Sequence, residues 1–231
     1  LSKTARTKLR WPAIKTETET LAERLKVVGY HTAAVSSFTW IRKDLGFDQG
    51  FDHFSEQAFR DFHPERMMTS RVAVQMATKL YDRMAKQEAP LFLWLHLFDA
   101  HEKYLSHEGI DFGSSRSGRY DGEIAFVDRQ LKTLIEHVRS GSRAAHTTWI
   151  VHGSHGEGFD EHGFRGHGTE LYNEMLHVPF LIAGSSTARG HYKVAAVSTL
   201  DIAPTILDLA TASLKNSAGR SLVRTMSGTP E

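Results

Sequence analysis

An α/β fold built on a mostly parallel central sheet is predicted by three features of this sequence. A helical pattern, a glycine and a buried strand follow one another over residues 16–36, which opens an alternating α/β order. The run Leu91 to Leu97, LFLWLHL, is hydrophobic on both faces, as a central parallel strand is. Ionisable residues gather directly after that run and again after the apolar run Thr147 to Val151, and open α/β sheets bind ligands beyond the carboxyl ends of their strands. With 231 residues, 40% of them hydrophobic, the chain can bury the core of one large domain, and a single domain over 1–231 is expected.

The elements follow in order. Thr16 and Glu19 stand at capping-box spacing, Leu21, Leu25 and Val28 come at helical intervals, and Gly29 stops the helix. Tyr30 to Ser36 reads as a buried strand. Phe38 to Phe62, irregular and rich in phenylalanine, reads as a loop packing its own side chains over the core. From Glu65 to Gln87 the pattern is helical, with Val72, Met76, Leu80 and Met84 stepping by four as a core stripe. His96, inside the following strand, is a satisfied core histidine on this reading. A Gly/Ser/Arg-rich connection, Gly109 to Gly118, leads into a helix whose apolar face is Tyr120, Ile124, Val127, Leu131, Leu134 and Val138, which puts Asp121, Glu123 and Asp128 in solvent. Strands are expected at Val178 to Ala183 and Lys193 to Val197. A helix follows from Leu200 to Ala210, with Pro204 in its first turn and Ile202, Ile206 and Leu209 facing the core. Residues 211–231 form a polar tail.

Composition excludes several classes of function. The 28 basic and 27 acidic residues cancel to +1 without a Lys/Arg block, so nucleic acid is not an expected partner, nor is an anionic membrane surface. The absence of cysteine rules out a disulfide framework, a thiolate metal site and a Cys nucleophile within these residues. The apolar runs are far shorter than the ~18 residues that cross a bilayer, so no membrane segment is expected within this chain. The chain begins with Leu1 and its first residues, LSKTARTKLRW, have no apolar signal core, which leaves the compartment open.

The candidate site lies in Trp149 to Gly184. Six of the 14 histidines (His146, His152, His155, His162, His167 and His177) fall between residues 146 and 177. His155-Gly156-Glu157 offers an imidazole and a carboxylate, suited to a divalent metal or to proton transfer, and the glycines let backbone approach an anion. Phe98-Asp99-Ala100-His101-Glu102 puts three ionisable groups beyond the end of the earlier strand. His152 and His162 read as supporting or surface groups and His177 as a surface strand residue.

The stretch SHGEGFDEHGFRGHGTELYNEMLHVPFLIAG resembles the S-D-H-G-E…E-H-G…x-G-H-G-x-x-L-Y-E-E…R-V-P loop of the sulfatase and phosphoglycerol-transferase branch of the alkaline phosphatase superfamily. The resemblance is collinear from about Thr20 to Val223. TLAERLKVVGYHTAAVSS and GFDQGFDHF are similar to the family's early helix-strand unit, LFLWLHLFDAHEKY to its L-H-x-x-D-P-H-x-P-Y strand end, and YDGEIAFVDRQLKTLI to its next helix. VSTLDIAPTILDLA with GRSLV resembles its closing helix and turn. The resemblance implies a three-layer α/β sandwich like that of alkaline phosphatase and a metal-assisted nucleophilic attack on a sulfate or phosphate ester, the anionic substrate. It implies His101 and His167 as catalytic groups, Asp99 and Glu157 as substrate-binding groups with Asp99 orienting its loop, and His155 and Ser154 as metal ligands for Ca²⁺ or Mn²⁺.

Ser154 stands where the family has Asp, which replaces an anionic oxygen by a neutral hydroxyl. Ala100 stands for Pro, and His177 for Arg. The family's nucleophile and first acidic ligand precede the point where this chain starts, so the chain is expected to lack the nucleophile-bearing part and to show no turnover alone. Two alternatives share the resemblance: a non-catalytic binding or scaffold protein of this fold, and a phosphoglycerol or phosphoethanolamine transferase.

Overall fold

Three short parallel strands frame the first part of the chain. Strand β1 (His31–Val35) lies between β2 (His53–Ser55) and β3 (Leu91–Leu95), with Ala33 opposite His53 on one side and Leu93 on the other. The central position follows from the sequence: Ala33, Ala34 and Val35 are small or β-branched, carry no charge and are fully buried. The run expected as a central parallel strand, LFLWLHL, contains β3, which is parallel but lies at the edge of this sheet among the described residues and is half-buried along its length. The computed structural model describes residues 13–60, 68–184, 187, 196–213 and 217–226. These fall into two compact units, Leu1–Leu105 with Glu123–Leu134, and Ser106–Gly122 with Ile135–Glu231.

In the first unit, helix α1 (Leu21–Val27) precedes β1. Its capping box is formed by Thr20 and Glu23, not by Thr16 and Glu19: the Thr20 hydroxyl accepts from the Glu23 N–H, and the Glu23 carboxylate accepts from the Thr20 N–H at 2.8 Å. Both pairs have the required spacing, and the pair directly before the apolar run wins because its hydroxyl reaches the helix's unsatisfied N–H groups. Leu25, fully buried, is the apolar anchor of this helix and contributes about 2 kcal/mol by leaving water. The segment expected to be a plain loop contains β2 and a one-turn helix, α2 (Gln57–Arg60). A three-residue strand carries too little periodicity to be read from sequence, and β2 exists because β1 supplies its pairing partner. Helix α3 (Ser70–Ala85) packs against β1 and β3, and its buried apolar residues are Ala73, Val74, Ala77 and Met84, whereas Val72, Met76 and Leu80 of the expected core stripe are half-buried; residues 65–67 of the expected helix lie outside the described residues.

Helix α4 (Arg116–Arg139) contributes to both units, and its buried face differs from the expected one. Glu123 is 1% exposed, Phe126, Leu134 and Val138 are buried, and Ile124 is 45% exposed. A buried carboxylate that accepts a hydrogen bond thus takes a place that hydropathy alone gives to solvent.

In the second unit, β4 (Trp149–His152) pairs antiparallel with β7 (Phe180–Ala183), and the two-residue strands β5 (Gly158–Phe159) and β6 (Arg165–Gly166) form a hairpin. A one-turn helix, α5 (Asn173–Leu176), precedes β7. Helix α6 (Ile202–Leu209) is entered through a 3-10 turn, Thr199–Asp201, and is followed by the one-turn α7 (Val223–Met226). The buried side chains of α6 are Thr205 and Leu207, whereas Ile202, Ile206 and Leu209 are half-buried. The shift has a polar cause: the Thr205 hydroxyl accepts from the Leu222 N–H and buried Asp201 accepts from the Arg220 N–H, so this face grips the following turn. The expected strand at Lys193 to Val197 lies largely outside the described residues, as do the last residues of the tail.

Candidate functional site

The segment after β3 is fastened by carboxylates. Asp99 is 7% exposed; its Oδ1 accepts from the Thr69 N–H at 2.6 Å and the Thr69 hydroxyl at 2.7 Å, and its Oδ2 accepts from the Ser70 N–H at 2.7 Å. These donors stand at the start of α3, where backbone N–H groups lack helical partners and the helix dipole favours an anion. Asp99 therefore caps α3 from another segment and holds its own loop to that helix. Further on, the Leu105 N–H donates to Glu123 Oε1 at 2.5 Å. Between these anchors His101 stacks on Phe98, ring centroids 4.4 Å apart, and its Nδ1 donates to the Glu102 carbonyl at 2.7 Å. The carbonyl can only accept, which fixes the neutral tautomer with the proton on Nδ1 and the lone pair on Nε2.

The segment after β4 is fastened by backbone. The Gly153 N–H donates to the Pro179 carbonyl at 3.0 Å and the Gly156 N–H to the Met175 carbonyl at 2.8 Å. A Cβ at Gly156 would stand 1.9 Å from the Glu174 carbonyl oxygen, so only glycine permits this approach. The contact sets the place of His155, whose Nδ1 donates to the Gly156 carbonyl at 2.8 Å and whose ring stacks on His167 at 4.0 Å. His167 Nδ1 faces buried Glu157, 3.3 Å from Oε2 and 3.5 Å from Oε1. A carboxylate behind Nδ1–H orients the imidazole and leaves Nε2 as the atom that exchanges a proton outward. Burial, with the Glu157 and Asp121 charges added, raises the Tyr120 phenol and keeps it protonated.

His155 and Glu157 both touch His167, while Asp99 and His101 share the loop after β3. Ser154 is exposed, and its hydroxyl makes no hydrogen bond among the described residues. His162, read from sequence as a minor group, stacks on Tyr172 at 4.1 Å and donates from Nδ1 to Glu174 at 2.7 Å, and this bond holds the Glu174 carboxyl below its usual range. Nothing in the spacing of residues 162 and 174 announces that pair. The capping role of Asp99 and the burial of Glu123 were equally invisible. Each depends on a donor supplied by a distant segment.

Among the described residues, no group of three or more His, Asp and Glu side chains is arranged to hold a metal ion. Ser154 and His155 supply one hydroxyl and one imidazole without a carboxylate. That donor set does not fit Ca²⁺ or Mn²⁺, which take several oxygen ligands with carboxylates among them. No helix among the described residues is long and apolar enough to cross a membrane.

The sequence profile of the Sulfatase family matches residues 3–212. The chain belongs to the sulfatase family. Its members are generally dependent on a divalent metal. Solved structures share the α/β fold of this sulfatase chain. One, solved in complex with its substrate D-glucosamine-2-N,6-O-disulfate, superposes with a TM-score of 0.76 at 15% identity, covering 94% of this chain and 67% of that one. A phosphonate monoester hydrolase from Silicibacter pomeroyi gives 0.70 at 14% identity, covering 95% and 63%. A protein in the alkaline phosphatase superfamily from Vibrio parahaemolyticus gives 0.68 at 23% identity, covering 88% and 50%. The chain spans about 60% of the length of the solved structures it matches. No curated protein matches the sequence.

Proposed function

We propose that this protein acts on sulfate esters, with phosphate esters as the closest chemical alternative, and that His167 is the proton donor to the leaving oxygen. The observation that carries this reading is the His167–Glu157 pair with His155 stacked against it. In hydrolysis the sulfuryl group passes to the oxygen of water as its S–O bond to the alcohol breaks, and the leaving alkoxide-like oxygen takes the proton from Nε2 of the His167 imidazolium, whose Nδ1–H Glu157 orients. His101, with its lone pair on Nε2 when neutral, is the second proposed catalytic group and anion contact. Glu157 and Asp99 are proposed to act through the groups they hold, because both oxygens of Asp99 are engaged at the start of α3. His155 and Ser154, which without a carboxylate do not fit Ca²⁺ or Mn²⁺, support a second reading in which the fold binds the ester without turning it over.

Steady-state hydrolysis of a sulfate monoester by the full protein tests the first reading. The His167→Ala variant is expected to lose about 10²–10⁴-fold in kcat with its fold intact. A variant within twofold of the parent would refute the assignment, and saturable binding without turnover in the parent would favour the second reading.

A further inference from the structure

Glu157 and His167 stand at the open end of a very short hairpin. Glu157 directly precedes β5 and His167 directly follows β6, and the strands pair Gly158 with Gly166 and Phe159 with Arg165. Continued by one residue, that register sets Glu157 opposite His167, the contact found at 3.3 Å. The register is poorly defended from within. Strands of two residues are far too short to hold an isolated hairpin in water, and the pair Gly158 and Gly166 has no side chains to interlock. A slip of one residue would turn His167 to the other face of the hairpin, away from Glu157. The ion pair of Arg165 with Asp160 is exposed at both ends and stays within the hairpin, so it does not tie the hairpin to anything else.

The tip of the hairpin is held from outside. His162 donates from Nδ1 to Glu174 Oε1 at 2.7 Å, and its ring lies on Tyr172 with 4.1 Å between centroids and 6° between planes. The Glu174 side chain is 17% exposed, so the bond is partly sheltered from competing water. The same residue reaches the other end of the segment. Its backbone carbonyl lies against Gly156 so closely that no Cβ fits between them, and the Gly156 N–H donates to the Met175 carbonyl at 2.8 Å. Helix α5 therefore touches the hairpin at its tip and the backbone beside Glu157. We propose that Glu174 and His162 are positioning residues that fix the β5–β6 register and so keep His167 opposite Glu157. The inference rests on the reading of His167 as proton donor and names the residues that position it.

Imidazole ¹⁵N spectra and steady-state kinetics on a sulfate monoester, both with the full protein, test the proposal. Glu174→Ala is expected to displace the His167 Nδ1 resonance while those of His31 and His53 in the first unit stay in place, and to lower kcat about tenfold with KM within twofold of the parent. Glu174→Gln, whose amide oxygen still accepts from His162, should restore both. His162→Ala should match Glu174→Ala, and the double variant should lose no more than either alone. An unmoved His167 resonance in Glu174→Ala would overturn the proposal, as would a Glu174→Gln variant as impaired as Glu174→Ala, or losses that add in the double variant. A parent without turnover would overturn the reading of His167 as proton donor. The positioning role is then decided by the resonance alone: displacement in Glu174→Ala with recovery in Glu174→Gln upholds it, and no displacement overturns it.

Discussion

The loops after β3 and after β4 both carry histidines proposed for catalysis, yet they are held by opposite means. The first is clamped by buried charge: Asp99 receives three hydrogen bonds from the start of α3, and Glu123 receives the Leu105 N–H. The second is clamped by the absence of side chains: Gly156 lets backbone approach the Glu174 carbonyl, and the carboxylate of that stretch, Glu157, is directed at His167. Anchoring by charge is sensitive to loss of one group. Anchoring by glycine is insensitive to pH and sensitive to a single methyl.

Substitutions should separate the two modes. The largest expected effect is Asp99→Ala, which leaves three donors at the start of α3 without their acceptor and should lower stability by about 4 kcal/mol in denaturant unfolding. Asp99→Asn, which keeps one oxygen, should recover part of that loss. Next is Gly156→Ala, with about 3 kcal/mol lost because a backbone carbonyl must move to admit the Cβ. Its deficit should be the same at pH 5 and pH 7.

A smaller and pH-dependent effect is expected at Glu56 in the first unit. Burial pushes its carboxyl upward, but the Lys43 N–H, the Arg60 guanidinium and the Lys43 charge outweigh burial and hold it below its usual value of 4.5. A folded-state value below the unfolded one stabilises the fold above the unfolded value, and the gain disappears as pH falls through the folded value. The gap between the parent and Glu56→Gln, about 2 kcal/mol at neutral pH, should therefore stay constant down to about pH 4.5 and then close. A gap that widened in acid would assign Glu56 the wrong sign.

Where local chemistry sets the structure, the sequence was readable. The all-apolar run of β3 announced a parallel strand, and glycine with histidine after β4 announced a loop that approaches other groups closely. Legibility failed where polar groups take buried places. Glu123 sits on the buried face of α4 and Thr205 on that of α6 because each bonds to a segment remote in the chain, and no hydropathy pattern encodes that partner. The helix start at Thr20 was missed for a different reason: two pairs, Thr16 with Glu19 and Thr20 with Glu23, have the same spacing, and proximity to Leu21 decides between them. His167 could be picked out from sequence, whereas its contacts with Glu157 and His155 required the hairpin of β5 and β6 to fold the loop back.

The most direct measurement is a titration of inorganic sulfate into protein labelled with ¹⁵N at its 14 histidines, followed through the imidazole nitrogens. The account predicts saturable shifts at His155 Nε2 and His167 Nε2 with one shared dissociation constant, while exposed histidines outside the loops, such as His137, stay in place. Shifts that grow linearly and alike at all histidines, or none at His155 and His167, would contradict it.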